Sequence, residues 1–173
     1  MFALIAADQL RSSRIRRFAT YWERKRAGRI VPDRQDIDPA ELKDLLPYLM
    51  VVEIEAQPFR VLYRLAGTKV VEMNKIELTG RYLDEFTSDE ATYADKGIAA
   101  YRSAWQHQRP VFGGYDWPTP SGKKYLVEFA IFPVTQSGTA GQCIALEDWD
   151  VARAAVPHHE SPLPFVKDPK RRS

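Results

Sequence analysis

Cysteine is almost missing from this chain: Cys143 stands alone among 173 residues. A disulfide within the chain is therefore excluded, and so is a zinc centre built on several cysteines. The expected compartment is a reducing one, the cytoplasm. Long apolar runs are missing as well. The opening run from Met1 to Ala7 spans seven residues. That is short of the roughly 20 a membrane helix needs, and no cations precede it as they would in a secretory signal. No glycine-rich loop suited to cradling phosphate is present, nor any nucleophile–base–acid set, so no catalysis is expected. Internal repeats are absent too.

An excess of one charge sign is also lacking overall, since the net charge is +2. Divided along the chain, the charge is uneven. Residues 1–34 carry a net +6, residues 35–150 a net −7 and residues 151–173 a net +3. An acidic middle lies between two basic ends. With 45% apolar and 12% aromatic residues, the chain has enough material for a packed core without staples.

What is present is a sequence of clear periods. Ile15, Phe18, Ala19 and Trp22 recur at helical spacing between Ser12 and Ala27, amid six Lys/Arg residues, and Gly28 offers a stop. Asp38-Pro39-Ala40-Glu41 reads as a helix start, with Asp as cap and Pro in the first position. The period then shortens to two. Leu49–Glu55 and Phe59–Ala66 predict two strands joined at Gln57-Pro58 as a hairpin. A short helix is expected over Thr68–Asn74. Thr87-Ser88-Asp89-Glu90 has capping-box spacing and opens a helix to about Gln108, with Ala94, Ile98, Tyr101 and Trp105 on one face. Three more strands are expected at Val111–Trp117, Tyr125–Val134 and Gln142–Trp149. The remaining residues, with Pro157, Pro162, Pro164 and Pro169, read as a tail.

This order predicts an α+β fold: a five-stranded antiparallel sheet with helices inserted between strands two and three, preceded by an amphipathic helix. It resembles a PAS sensor domain. Leu45-Leu46-Pro47, Tyr63-Arg64-Leu65-Ala66-Gly67-Thr68 and Leu78-Thr79-Gly80-Arg81 are similar to a bacterial group of short, stand-alone PAS-like proteins. Trp22 and Pro32-Asp33-Arg34 match that group's Trp-bearing helix and linker. The expected organisation is a basic helix and linker over residues 1–34, the PAS-like domain over 35–150, and a basic proline-rich tail over 151–173.

The resemblance implies a sensory or regulatory role and leaves the cofactor unknown, because PAS domains hold haem, flavins, small metabolites or only another protein. A flavin–thiol adduct needs a cysteine in the helical region, whereas Cys143 falls on the last strand and reads as a small buried hydrophobe. His107 and Met73 are the residues placed for haem, and a His in a last helical turn more often meets free carbonyls. His158-His159-Glu160 do not converge as metal ligands. If the pocket holds a small ligand, Tyr63, Tyr101, Trp105 and Phe129 line it, with Met73 at its rim. Arg64 alternates with Tyr63. Facing inward it would need a carboxylate or phosphate partner; otherwise it lies on the outer face. Ile15, Phe18 and Trp22 pack on the sheet or pair with a second copy, and a homodimer through that helix is the expectation. With no output module expected, signalling should pass through a protein partner or through changes in self-association. The basic ends raise nucleic acid as the alternative, although no base-reading module is present. No membrane partner is expected.

Overall fold

Alternation in the sequence becomes one antiparallel sheet of six strands in the computed structural model, which describes residues 1–86, 91–118 and 124–151. The chain enters with β1 (Phe2–Leu4), then α1 (Ser13–Arg26), the hairpin β2 (Leu49–Ala56) and β3 (Phe59–Ala66), α2 (Thr68–Asn74) and α3 (Ala91–His107). It closes with β4 (Val111–Pro118), β5 (Lys124–Gln136) and β6 (Thr139–Asp148). Spatially the strands run β1-β4-β5-β6-β2-β3. The return of β6 to pair with β2, with Val52 opposite Cys143, puts the two chain-distant hairpins side by side.

Five of these strands are the expected ones. The sixth is an addition: Phe2, Ala3 and Leu4 pair with Tyr115, Gly114 and Gly113 and extend the sheet at the β4 edge. Three residues are too few for a period to declare itself, so only the neighbouring edge reveals the strand. The expected helix at Asp38 is a single 3-10 turn over Pro39–Leu42, capped by the Asp38 side chain as its sequence foretold. The capping box at Thr87–Glu90, the turn residues Thr119–Lys123 and the tail beyond Val151, with His158-His159-Glu160, lie outside the described residues.

Both faces of the sheet are covered, and β5 and β6 serve two cores. On one face Val52, Val61, Val127, Phe129, Cys143 and Ala145 meet α2 and α3. On the other, Ala130, Phe132, Val134, Ile144 and Leu146 meet Ile15, Phe18 and Trp22 of α1. Ile15 and Phe18 are wholly buried, and the Phe18 ring stands edge-on to Phe132 at 4.8 Å. The Trp22 indole N–H donates to the Pro133 carbonyl at 3.0 Å. The stripe expected to pair with a second copy is thus consumed by the chain's own sheet, because the outer face of β5 and β6 is equally apolar and far closer. That corrects the assignment of Ile15, Phe18 and Trp22 to a dimer interface.

The entry of α1 is fixed electrostatically. Ser12 caps the helix by accepting from the Ile15 N–H at 3.0 Å and donates to Asp148 at 2.6 Å. The buried Glu128 carboxylate accepts the Arg11 and Ser12 N–H groups, at 3.0 and 2.8 Å, beside the positive end of the helix. Along the helix, Arg14 bridges Asp148 and Asp150, Arg17 pairs with Asp44, and Arg24 and Lys25 share Glu41. The basic arm therefore spends much of its charge on the acidic core of the same chain.

Two glycines have visible reasons. A Cβ at Gly67 would collide with the backbone carbonyls of Leu46 and Pro47, so the Ala66-Gly67-Thr68 turn can pass there only without a side chain. At Gly113 a Cβ would meet the Phe129 ring and, at 2.9 Å, the Ala3 carbonyl of β1. Gly113 thus permits a close backbone approach at the joint with the added strand.

Candidate functional site

Between the sheet and α3 lies a cavity of about 120 Å³. Its walls follow from strand alternation. Tyr63 of β3, Tyr115 and Trp117 of β4, Phe129 of β5 and Glu147 of β6 point to the helical side, while Tyr101 descends from α3 and Phe86 closes from the preceding loop. The helix approaches closely because it presents small residues to the sheet: Ala94 and Gly97 line the cavity, and Ala100 and Ala104 are buried beside it.

Glu147 is the chemical centre of this space. It follows Cys143 and Ala145 on the inward face of β6 and, half-buried, lines the cavity. The Tyr115 hydroxyl donates to its Oε1 at 3.0 Å. Among the described residues its other oxygen has no hydrogen-bond partner in the chain. Burial pushes the carboxyl up to about 7, although the Tyr115 hydrogen bond pulls the other way. Tyr63, Tyr101 and Tyr115 are raised above the ordinary tyrosine value, first by burial; the nearby Glu147 charge comes next for Tyr63 and Tyr115, and for Tyr101 it follows the neighbouring Tyr63. The hydroxyls of Tyr63 and Tyr101 likewise lack partners among the described residues, and both residues line the cavity. Buried polar groups normally find partners. Here two hydroxyls and one carboxylate oxygen border a single small space, an arrangement able to hold and orient a bound molecule.

Of the residues expected from sequence, Tyr63, Tyr101 and Phe129 come together around the cavity. Arg64 does not. It is 57% exposed on the outer side of β3, 3.5 Å from Glu53, and no arginine is among the described lining residues. Tyr63 takes the inward position, and an unpaired guanidinium would be costly there. Met73 is buried in the inner core away from the cavity lining. Trp105 packs against Phe59, ring centres 5.8 Å apart and planes tilted by 53°, and borders a separate groove with Arg29 and Val31. The expected helical face was set by its largest apolar residues, whereas close packing selected Gly97, Ala100 and Ala104 and turned Trp105 aside. Cys143 is wholly buried, its thiol pushed up to about 12 by desolvation, which suppresses thiolate chemistry. His107 bonds back to the Ser103 carbonyl at 2.9 Å, within its own helix. Sequence reasoning missed Glu147. The alternation Cys143, Ala145, Glu147, Trp149 was the available signal, since three hydrophobic residues at that spacing carry the acid inward with them.

No helix among the described residues is long and apolar enough to cross a membrane. Residues 10–145 match the family model described as PAS domain. The match begins within the segment expected to be an arm, in keeping with the burial of α1 against the sheet. A solved structure of an RNA-binding Light-Oxygen-Voltage receptor is similar at 15% identity and a TM-score of 0.44, over 78% of this chain and 37% of that one. No curated protein matches the chain.

Proposed function

The chain belongs to the PAS domain family, and on that premise we propose that it is a sensory or regulatory domain without catalysis that holds a small ligand between its sheet and α3. One observation carries this reading: the Tyr63 and Tyr101 hydroxyls and one oxygen of Glu147 border a common cavity without hydrogen-bond partners among the described residues. A ligand there would touch Phe86 and Gly97 on the helical side and Tyr115 and Phe129 on the sheet. Its presence would be felt on both layers at once, which is what a switch requires. The output would pass to a protein partner, because nothing in the described residues assembles a catalytic set around the cavity.

The test is native mass spectrometry, with an absorption spectrum, on the purified full chain and on Gly97→Leu. Gly97 lines the cavity, and its added Cβ would meet only Leu83, at an ordinary 3.6 Å, so the larger side chain fills the space without breaking the helix. The wild type is expected to carry or take up a small molecule that the variant excludes. Equal uptake by both proteins would refute the assignment of the ligand to this cavity.

A further inference from the structure

The chemistry of the cavity narrows what it can hold. Its walls are aromatic faces, among them Tyr63, Phe86, Tyr101, Tyr115 and Phe129, and the one carboxylic acid among its described lining residues is Glu147. No Lys, Arg or His is among its described lining residues. Two cations lie behind its walls: the Arg81 guanidinium sits 4.6 Å from the Phe86 ring centre and 3.6 Å from Glu85, and the Lys96 ammonium, exposed on α3, lies 5.9 Å from the Phe2 ring centre. An anionic ligand would meet one carboxylate and the negative faces of several rings, with no cation among the described lining residues to offset them, since Arg81 stands behind Phe86 and faces Glu85. A cation would meet the reverse: ring faces attract it, and a desolvated carboxylate can pair with it.

We propose that the cavity is an aromatic cage for a small organic cation, its ammonium group held by Glu147 and its alkyl part by the surrounding rings. This rests on the reading of the cavity as a ligand site and assigns its class. The volume sets the size. A cavity of roughly 150 Å³ accommodates benzene, so one of about 120 Å³ takes a ligand with around five or six non-hydrogen atoms. Tyr115 orients the carboxylate through Oε1 and leaves the other oxygen for the ligand. Tyr63 and Tyr101, which carry the other facing hydroxyls, stay neutral at any physiological pH. Glu147 is therefore the group whose charge changes with pH in the cavity. The cation and a proton compete for it, and affinity should rise as pH increases through about 7.

The experiment is isothermal titration calorimetry of the full chain with four probes of similar size: tetramethylammonium, isobutylammonium, isobutanol and isobutyrate. The two cations are expected to bind, more tightly at pH 8 than at pH 6, and Glu147→Gln is expected to weaken them at least tenfold and remove the pH dependence. Gly97→Leu should abolish their binding. If isobutanol binds as tightly as the cations and Glu147→Gln changes nothing, the cation class is refuted while the ligand cavity stands. If isobutyrate binds best, the charge argument is refuted likewise. Cation binding that survives in Gly97→Leu places the ions elsewhere and overturns the cage. Failure of all four probes with wild type overturns the cage, and if native mass spectrometry also finds no cavity-dependent ligand, the underlying reading falls with it.

Discussion

Replacing Glu147 by Gln should reverse the usual expectation that removing a buried polar contact destabilises a protein. In the folded chain the carboxyl titrates at about 7, against 4.5 for the ordinary group. Between those values the folded state retains a proton that the unfolded state has released, so stability falls as pH rises through that window. At about 1.4 kcal/mol per pH unit, the loss amounts to about 3 kcal/mol by pH 8. Water admitted to the cavity would solvate the carboxylate and reduce this figure, so it is an upper one. Glutamine has the same shape, accepts the Tyr115 hydroxyl and carries no charge to desolvate. Urea unfolding of both proteins at half-unit steps from pH 5 to 8 would separate this residue from all others, because every other group is common to the pair. The variant should gain on the wild type steadily through the window and end more stable by about 2–3 kcal/mol. In a domain of this size that is a Tm difference of several degrees. Parallel curves would refute the reasoning, since they would mean that Glu147 titrates alike in both states. A wild type that gains on the variant with rising pH would show a carboxylate stabilised by folding, the opposite environment.

The remaining predictions concern the scaffold. Gly67→Ala should destabilise by more than about 2 kcal/mol in denaturant unfolding, because the new Cβ meets two backbone carbonyls that cannot rotate away; a neutral result would show that the turn can open. Ser12→Ala removes both the cap of α1 and the donor to Asp148, and a loss of about 1–2 kcal/mol is expected from the same measurement. Phe18→Ala should cost about 3–5 kcal/mol in the monomer, with an unfolding midpoint independent of protein concentration. A concentration-dependent midpoint lost only in that variant would restore the helix stripe to a dimer interface.

Local patterns made most of the architecture legible. Period-two runs announced β2 to β6, and the extents of α1 and α2 were readable from their apolar spacing. These signals survive because strand and helix each impose a period on any face that must be buried. Where two buried layers compete for one element, the pattern is ambiguous. On α3, Ile98 and Trp105 outweigh Gly97 and Ala104 in hydrophobicity, yet the small residues are the ones that fit against the sheet. Arg64 and Tyr63 posed the same choice, and the cost of an unpaired buried charge settled it for tyrosine.

The lone cysteine excluded a disulfide within the chain, and the alternation determined its layers. The cavity lay beyond that reach. Tyr63, Tyr101, Tyr115 and Glu147 are far apart in sequence, and each looks ordinary in its own neighbourhood. Only the return of β6 to the centre of the sheet, and the close approach of α3, bring the four into one small space. The raised carboxyl is a property of that convergence, because desolvation depends on everything surrounding a group and not on the residues beside it in the chain. The same holds for α1: its charge and its apolar stripe were plain in the sequence, but the fold decided that both would be met by the chain's own sheet.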